Sequence, residues 1–189
     1  MVSLIGLTYS PSLYFVDALA LAARQVPNIV FLLVGGGGNL LPPIARRCQE
    51  VGLPYVATGI VPSSQVADYF AASDVGIYAG DINAYQNAGC PIKILEYTAA
   101  RKPVVATDLD ELRRLAFPNV RLTPPDPKAF ASAIVAALQG PTDFPNMANF
   151  EWATLAQTAR DAIAAKAIQG HGNQPSLARS EKVPAAVSP

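Results

Sequence analysis

The sequence predicts an α/β fold, a doubly wound and mostly parallel sheet, from three observations. Apolar, β-branched runs alternate with segments of helical period as far as residue 140, several runs are apolar on both faces, and the connections are mostly short. Six runs have strand character: residues 2–7, 29–34, 54–59, 74–79, 103–107 and 119–122. A strand covered by helices on both sides buries both faces, and successive parallel strands are joined by right-handed crossovers.

The helices between the strands carry start signals. Ser10 and Pro11 open a segment with Leu13, Val16, Ala20 and Ala23 at helical spacing. Pro62 precedes one with Val66, Tyr69 and Phe70, and Asp126 with Pro127 precedes one with Phe130, Ile134 and Leu138. A polar cap followed by Pro suits the free N–H groups and the fixed φ of a first helical turn. Asp108 and Glu111 have the spacing of a capping box. Residues 149–167 form a closing helix with Phe150, Ala153, Ala156, Ala159 and Ile163 as its apolar stripe, and Trp152 is expected in the core. Beyond it the chain turns to Gly, Pro, Ser and Asn, which cannot bury enough surface to offset ordering entropy. The expected organisation is one domain over residues 1–168 and a disordered tail over 169–189.

Composition removes several function classes. Fourteen basic and fourteen acidic residues give a net charge of zero, so no long-range field draws in nucleic acid. Apolar residues make up 51% of the chain, enough to fill a core, yet no run is long enough to span a membrane. Cys48 and Cys90 cannot build a disulfide framework, which points to a reducing compartment and a cytoplasmic protein. The sole histidine, His171, lies near the end of the chain, so a Ser-His-Asp site or a His-based metal cluster is not expected in the core.

Two segments carry candidate chemistry. Residues 35–38 are four glycines after a buried strand, where open α/β sheets bind ligands. They lack a third fingerprint glycine and a Walker lysine, and they serve equally well as a permissive strand-to-helix turn. Residues 87–97 read NAGCPIKILEY and enter a helix at Pro91. The free N–H groups of Ile92 and Lys93 there suit a diphosphate, with Glu96 about 6 Å further along the axis to accept ribose hydroxyls. Ile92, Leu95 and Ala99 are expected to face the core. Spacing alone favours a plainer role for Glu96, a surface pair with Lys93 worth a few tenths of a kcal/mol.

Residues 89–108, GCPIKILEYTAARKPVVATD, resemble the nucleotide-sugar-binding half of GT-B-fold glycosyltransferases, most closely glycosyltransferase family 4 (glycosyl transferases group 1). Residues 27–37, 59–75, 124–138 and 150–152 agree in order, so the resemblance covers residues 2–167. It implies a Rossmann-like domain that holds a UDP-, GDP- or ADP-sugar without a metal or other cofactor and transfers the sugar with retention of stereochemistry. By the same resemblance Glu96 meets the donor ribose; Gly89, Cys90, Pro91, Ile92 and Lys93 meet the diphosphate and sugar; Ile60 and Val61 meet the base; and Gly35 and Gly36 border the cleft. Ala88 stands where the first glutamate of the family's E-x7-E motif would be, and residues 7–16 lack the usual basic pair. No residue is assigned as catalytic.

An acceptor domain has no counterpart in this sequence. The expected partners are therefore a separate acceptor-domain subunit or a second copy of the chain, with any membrane association at the inner face made through that partner. The alternative is a non-catalytic remnant or partner subunit that keeps the fold and nucleotide affinity. A sugar-nucleotide epimerase fits less well, because the core lacks a histidine and most of the acidic groups.

Overall fold

The computed structural model describes residues 1–5, 12–35, 40–89 and 92–171. The chain divides into two compact units, Met1–Met147 and Ala148–Pro189. The first holds six parallel strands: β1 (Val2–Ile5), β2 (Phe31–Val34), β3 (Tyr55–Ala57), β4 (Val75–Tyr78), β5 (Val104–Thr107) and β6 (Val120–Thr123). Its helices are α1 (Tyr14–Ala23), α2 (Leu41–Glu50), α3 (Val66–Ala72), α4 (Ala84–Ala88), α5 (Ile92–Ala99), α6 (Asp110–Leu115) and α7 (Pro127–Gln139). The strand order is β3-β2-β1-β4-β5-β6, so chain direction across the sheet reverses between β1 and β4. Val2 pairs with Phe31 on one side and Val75 on the other. This is the doubly wound sheet expected from the apolar runs.

Alternation along β1 sets the two layers. Val2 and Leu4 point into a core shared with Phe15 and Leu19 of α1 and Phe130 and Ile134 of α7. Ser3 lies on the other face, where its hydroxyl meets Tyr97 of α5. Such a two-sided strand must be apolar throughout except where a polar group finds a partner. Asp126 caps α7 as expected, accepting the Ala129 N–H at 2.8 Å ahead of Pro127.

Several expectations are corrected. The Asp108–Glu111 capping box does not form: Leu109 is the N-cap, and the first N–H of α6, that of Asp110, donates to Asn87 Oδ1 at 3.4 Å. Asp108 is instead held by Nε and Nη2 of Arg113 at 2.6–2.7 Å, and Glu111 by Arg114. A bidentate guanidinium offers a carboxylate more than a single backbone N–H does. The polar stretch before residue 89 contains α4, whose cap is Asn83 accepting from Gln86 N–H at 2.9 Å. The inner face of α5 is Ile94, Tyr97 and Thr98, while Ile92 is 65% exposed and Ala99 is exposed as well. The helix is thus turned by more than a third of a revolution from the expected stripe, because the Tyr97 phenol finds buried partners that neither Leu95 nor Ile92 could use.

In the second unit, α8 (Trp152–His171) follows a 3₁₀ turn at Ala148–Phe150. It runs three residues into the segment expected as tail; residues 172–189 lie outside the described residues, as do Ser10 and Pro11. Trp152 is 87% exposed rather than in a core, and Ala153, Ala156, Ala159 and Ile163 are exposed too. An alanine-rich stripe offers little contiguous apolar area to bury.

Burial holds two phenols above their ordinary range. Tyr97 is pushed far up from 10.0, and Tyr14 rises to about 12, its hydroxyl 2.7 Å from Thr107 Oγ1. A phenol whose folded pKa exceeds its unfolded value contributes stability that is whole below pH 10 and lost as pH climbs toward the folded value. Urea midpoints should therefore fall steadily from pH 10 upward. Tyr97→Phe should flatten that fall, and an equally steep fall in the variant would contradict the assignment.

Candidate functional site

Two local devices build the site. The first is the seat of α5. The Tyr97 hydroxyl donates to the Ser3 carbonyl at 2.9 Å, accepts the Ile5 N–H at 3.2 Å and exchanges a bond with Ser3 Oγ at 2.9 Å. Its ring lies over Gly76 of β4, where a β-carbon would come within 2.5 Å of the ring, and stands edge-on to Phe70 at 4.7 Å. At the next residue, Thr98 Oγ1 donates to the Ile94 carbonyl, and Asn119 Nδ2 donates to Thr98 Oγ1 and the Lys102 carbonyl. The last turn of α5 is thereby fixed against β1 and β4.

The second device joins the ends of β2 and β3. Gly35 (φ 118°) and Gly59 (φ 68°) both adopt backbone angles that favour glycine. The Gly35 N–H donates to the Gly59 carbonyl at 3.1 Å, and the Thr58 hydroxyl donates to the same carbonyl at 2.9 Å. This bridge turns the chain so that Ile60 and Val61 stand over the end of β2.

Between the two devices lies a cleft of about 180 Å³ lined by Ile5, Val34, Gly35, Ile60, Val61, Val66 and Lys93. It sits at the carboxyl ends of β1 and β2, beside the switch point of the sheet, where this topology leaves a crevice. The structure thus brings Gly35, Ile60, Val61 and Lys93 together from three distant segments. Gly89 ends α4 at the surface, and neither it nor Ile92 lines the cleft. Glu96 does not line it either, but is paired with Lys93, which does. Gly36, Cys90 and Pro91 lie outside the described residues. Sequence reasoning missed Ile5 and Val66; the first is the last residue of β1, inside the run expected over 2–7, and the second opens α3 directly after the polar turn at Ser63–Gln65.

The one charged residue in the lining is Lys93, and it is paired. Lys93 Nζ lies 2.7 Å from Glu96 Oε2, with each side chain a little over one-third exposed, and 5.8 Å from the Phe70 ring centre. This is the surface pair that spacing favoured. Glu96 Oε2 is itself shut off from water and makes no hydrogen bond: the ammonium is within ion-pairing distance but off the angle a hydrogen bond needs. Apolar walls suit a flat ring, the ammonium an anion, and the carboxylate hydroxyl groups. Among the described residues no group of three or more His, Cys, Asp or Glu could hold a metal, and no helix is long and apolar enough to cross a membrane.

Comparison with known proteins bears on this arrangement. The chain is 34% identical over 102 residues to TuaH of Bacillus subtilis, assigned by its name to teichuronic acid biosynthesis as a glycosyltransferase; the match takes in 52% of this chain and 25% of that one. Among solved structures it is similar to Anabaena Alr3699/HepE in complex with UDP, with a TM-score of 0.66 and 18% identity over 87% of this chain and 48% of that one. It is also similar to the catalytic domain of cholesterol-alpha-glucosyltransferase from Helicobacter pylori, with a TM-score of 0.59 and 19% identity over 73% of this chain and 85% of that one. The chain therefore spans a quarter of TuaH and about half of HepE, and its fold is the Rossmann-like, C-terminal half of GT-B glycosyltransferases. The family model described as glycosyl transferases group 1 matches residues 6–140, more than half of the chain, and the chain belongs to that family.

Proposed function

We propose that this chain is the donor-binding half of a glycosyltransferase that takes a nucleotide-diphosphate sugar in the cleft beside β1 and β2. The observation that carries this is the convergence of Gly35, Ile60, Val61 and Lys93 on one crevice at the sheet's switch point. Ile60, 89% exposed, and Val61 give the base an apolar surface. Lys93 and the first N–H groups of α5 meet the diphosphate, and Glu96 accepts the ribose hydroxyls. The same ammonium and amides stabilise charge as the diphosphate departs, so the chain's contribution to the reaction is electrostatic. The reading needs no metal or organic cofactor. HepE was solved with UDP and with UDP-glucose, which supports a uridine donor for a chain of this fold. The acceptor comes from a second domain or subunit, in the cytoplasm, with retention at the anomeric carbon.

Ala88 favours a second reading. It ends α4, exposed, where the family's other glutamate would stand, and its methyl group can neither bind nor orient a sugar hydroxyl. A partner subunit that binds the nucleotide without transferring sugar would accept this residue. Calorimetric titration with UDP, GDP and ADP tests both: at least one should bind at micromolar to millimolar Kd, and silence with all three would end the donor-domain proposal. Turnover of the UDP-sugar by a reconstituted complex would reject the non-catalytic reading.

A further inference from the structure

We infer that Lys93 is a specificity-determining latch on Glu96, so that the ribose is read only in a ligand that also carries phosphate. This rests on the donor-site reading above and deepens it. The ammonium stands 2.7 Å from Glu96 Oε2, so a ribose has to take that oxygen from it. The oxygen is shut off from water and holds no hydrogen bond, so the pair satisfies its charge but not its lone pairs. Lys93 also lines the cleft, with the Phe70 ring beneath its ammonium. It can therefore meet either a bound anion or the carboxylate, through rotation of its own side chain.

A diphosphate presents at least two negative charges to an ammonium that now faces one. Its arrival draws Lys93 away and leaves a shielded carboxylate without a partner, which vicinal hydroxyls then satisfy by donating two charge-assisted bonds. A nucleoside without phosphate must displace the ammonium unaided and leave it unpaired. A free pyrophosphate takes the ammonium but leaves Glu96 Oε2 bare. Only a ligand with ribose and diphosphate joined satisfies both groups, so the latch selects nucleoside diphosphates and their sugar conjugates over the parts.

The test is a sign reversal. Lys93→Gln removes the phosphate partner and releases Glu96 together, so the variant should bind UDP about tenfold more weakly and uridine several-fold more tightly than the unaltered protein. Uridine is measured directly by calorimetry at millimolar concentration, and Lys93→Met is run beside Lys93→Gln because glutamine could itself bond to Glu96. Thermal melts of both variants should match the unaltered protein, since the pair is about one-third exposed and lies within one helix. Weaker, unchanged or undetected uridine binding in both variants, with UDP still bound by the unaltered protein, would overturn the latch and leave the donor site standing. Failure of UDP, GDP and ADP to bind the unaltered protein would overturn both.

Discussion

Gly76→Ala should destabilise the sheet unit by about 3 kcal/mol, the largest stability effect expected of a single methyl group here. The added β-carbon would lie 2.5–2.6 Å from three carbons of the Tyr97 ring, and neither side can give. Gly76 is held in β4 by pairing with Ser3 and Val104, and the ring is held by its hydroxyl to Ser3 and Ile5 and by Phe70 at its edge. If the ring moves, a buried hydroxyl and the Ile5 N–H lose their partners, which adds about 1–3 kcal/mol to the cost. Urea unfolding should show a lower midpoint at an unchanged slope, with the melting temperature down by about 10 °C. A loss below about 1 kcal/mol would mean that α5 is not seated on β4 as described.

Glu96→Ala should weaken UDP binding by about 10- to 100-fold, the loss of a carboxylate that accepts two hydroxyl bonds in a site partly closed to water. The fold should hardly notice, because a partly exposed pair three residues apart on one helix contributes only about 0.3–0.5 kcal/mol. These two expectations separate a ligand-binding glutamate from a structural one. Calorimetry beside a thermal melt checks both. An affinity within twofold of the unaltered protein would remove Glu96 from the site and leave it as Lys93's surface partner.

The parts of this protein that were legible in its sequence are those set by local chemistry. Each strand lies in its apolar run or within one residue of it, and in β1, β2 and β5 every residue is buried, which leaves such runs few other places to go. Asp126 with Pro127 caps α7 for the same local reason. What was not legible depends on distant partners. The rotation of α5 turns on Tyr97 reaching Ser3 and Ile5, more than ninety residues away, and on Gly76 leaving space for its ring. Ile92 and Leu95 are as apolar as Ile94, so periodicity could not choose between the two faces. Asp108 has the spacing of a cap but is held by Arg113. The cleft was half legible: Gly35, Ile60, Val61 and Lys93 were named from separate segments, whereas Ile5 and Val66 join them only through the strand order.

The central claim is one of place: a nucleotide diphosphate lodges between the end of β1, the Gly35–Gly59 bridge and the start of α5. Backbone amide NMR during titration with UDP reads that place directly. The account predicts saturable shifts clustered at Ile5, Gly35, Ile60, Val61, Val66 and Lys93, with α7 and β6 unmoved. Shifts confined to other surfaces, or no shifts at millimolar UDP, GDP and ADP, would contradict it.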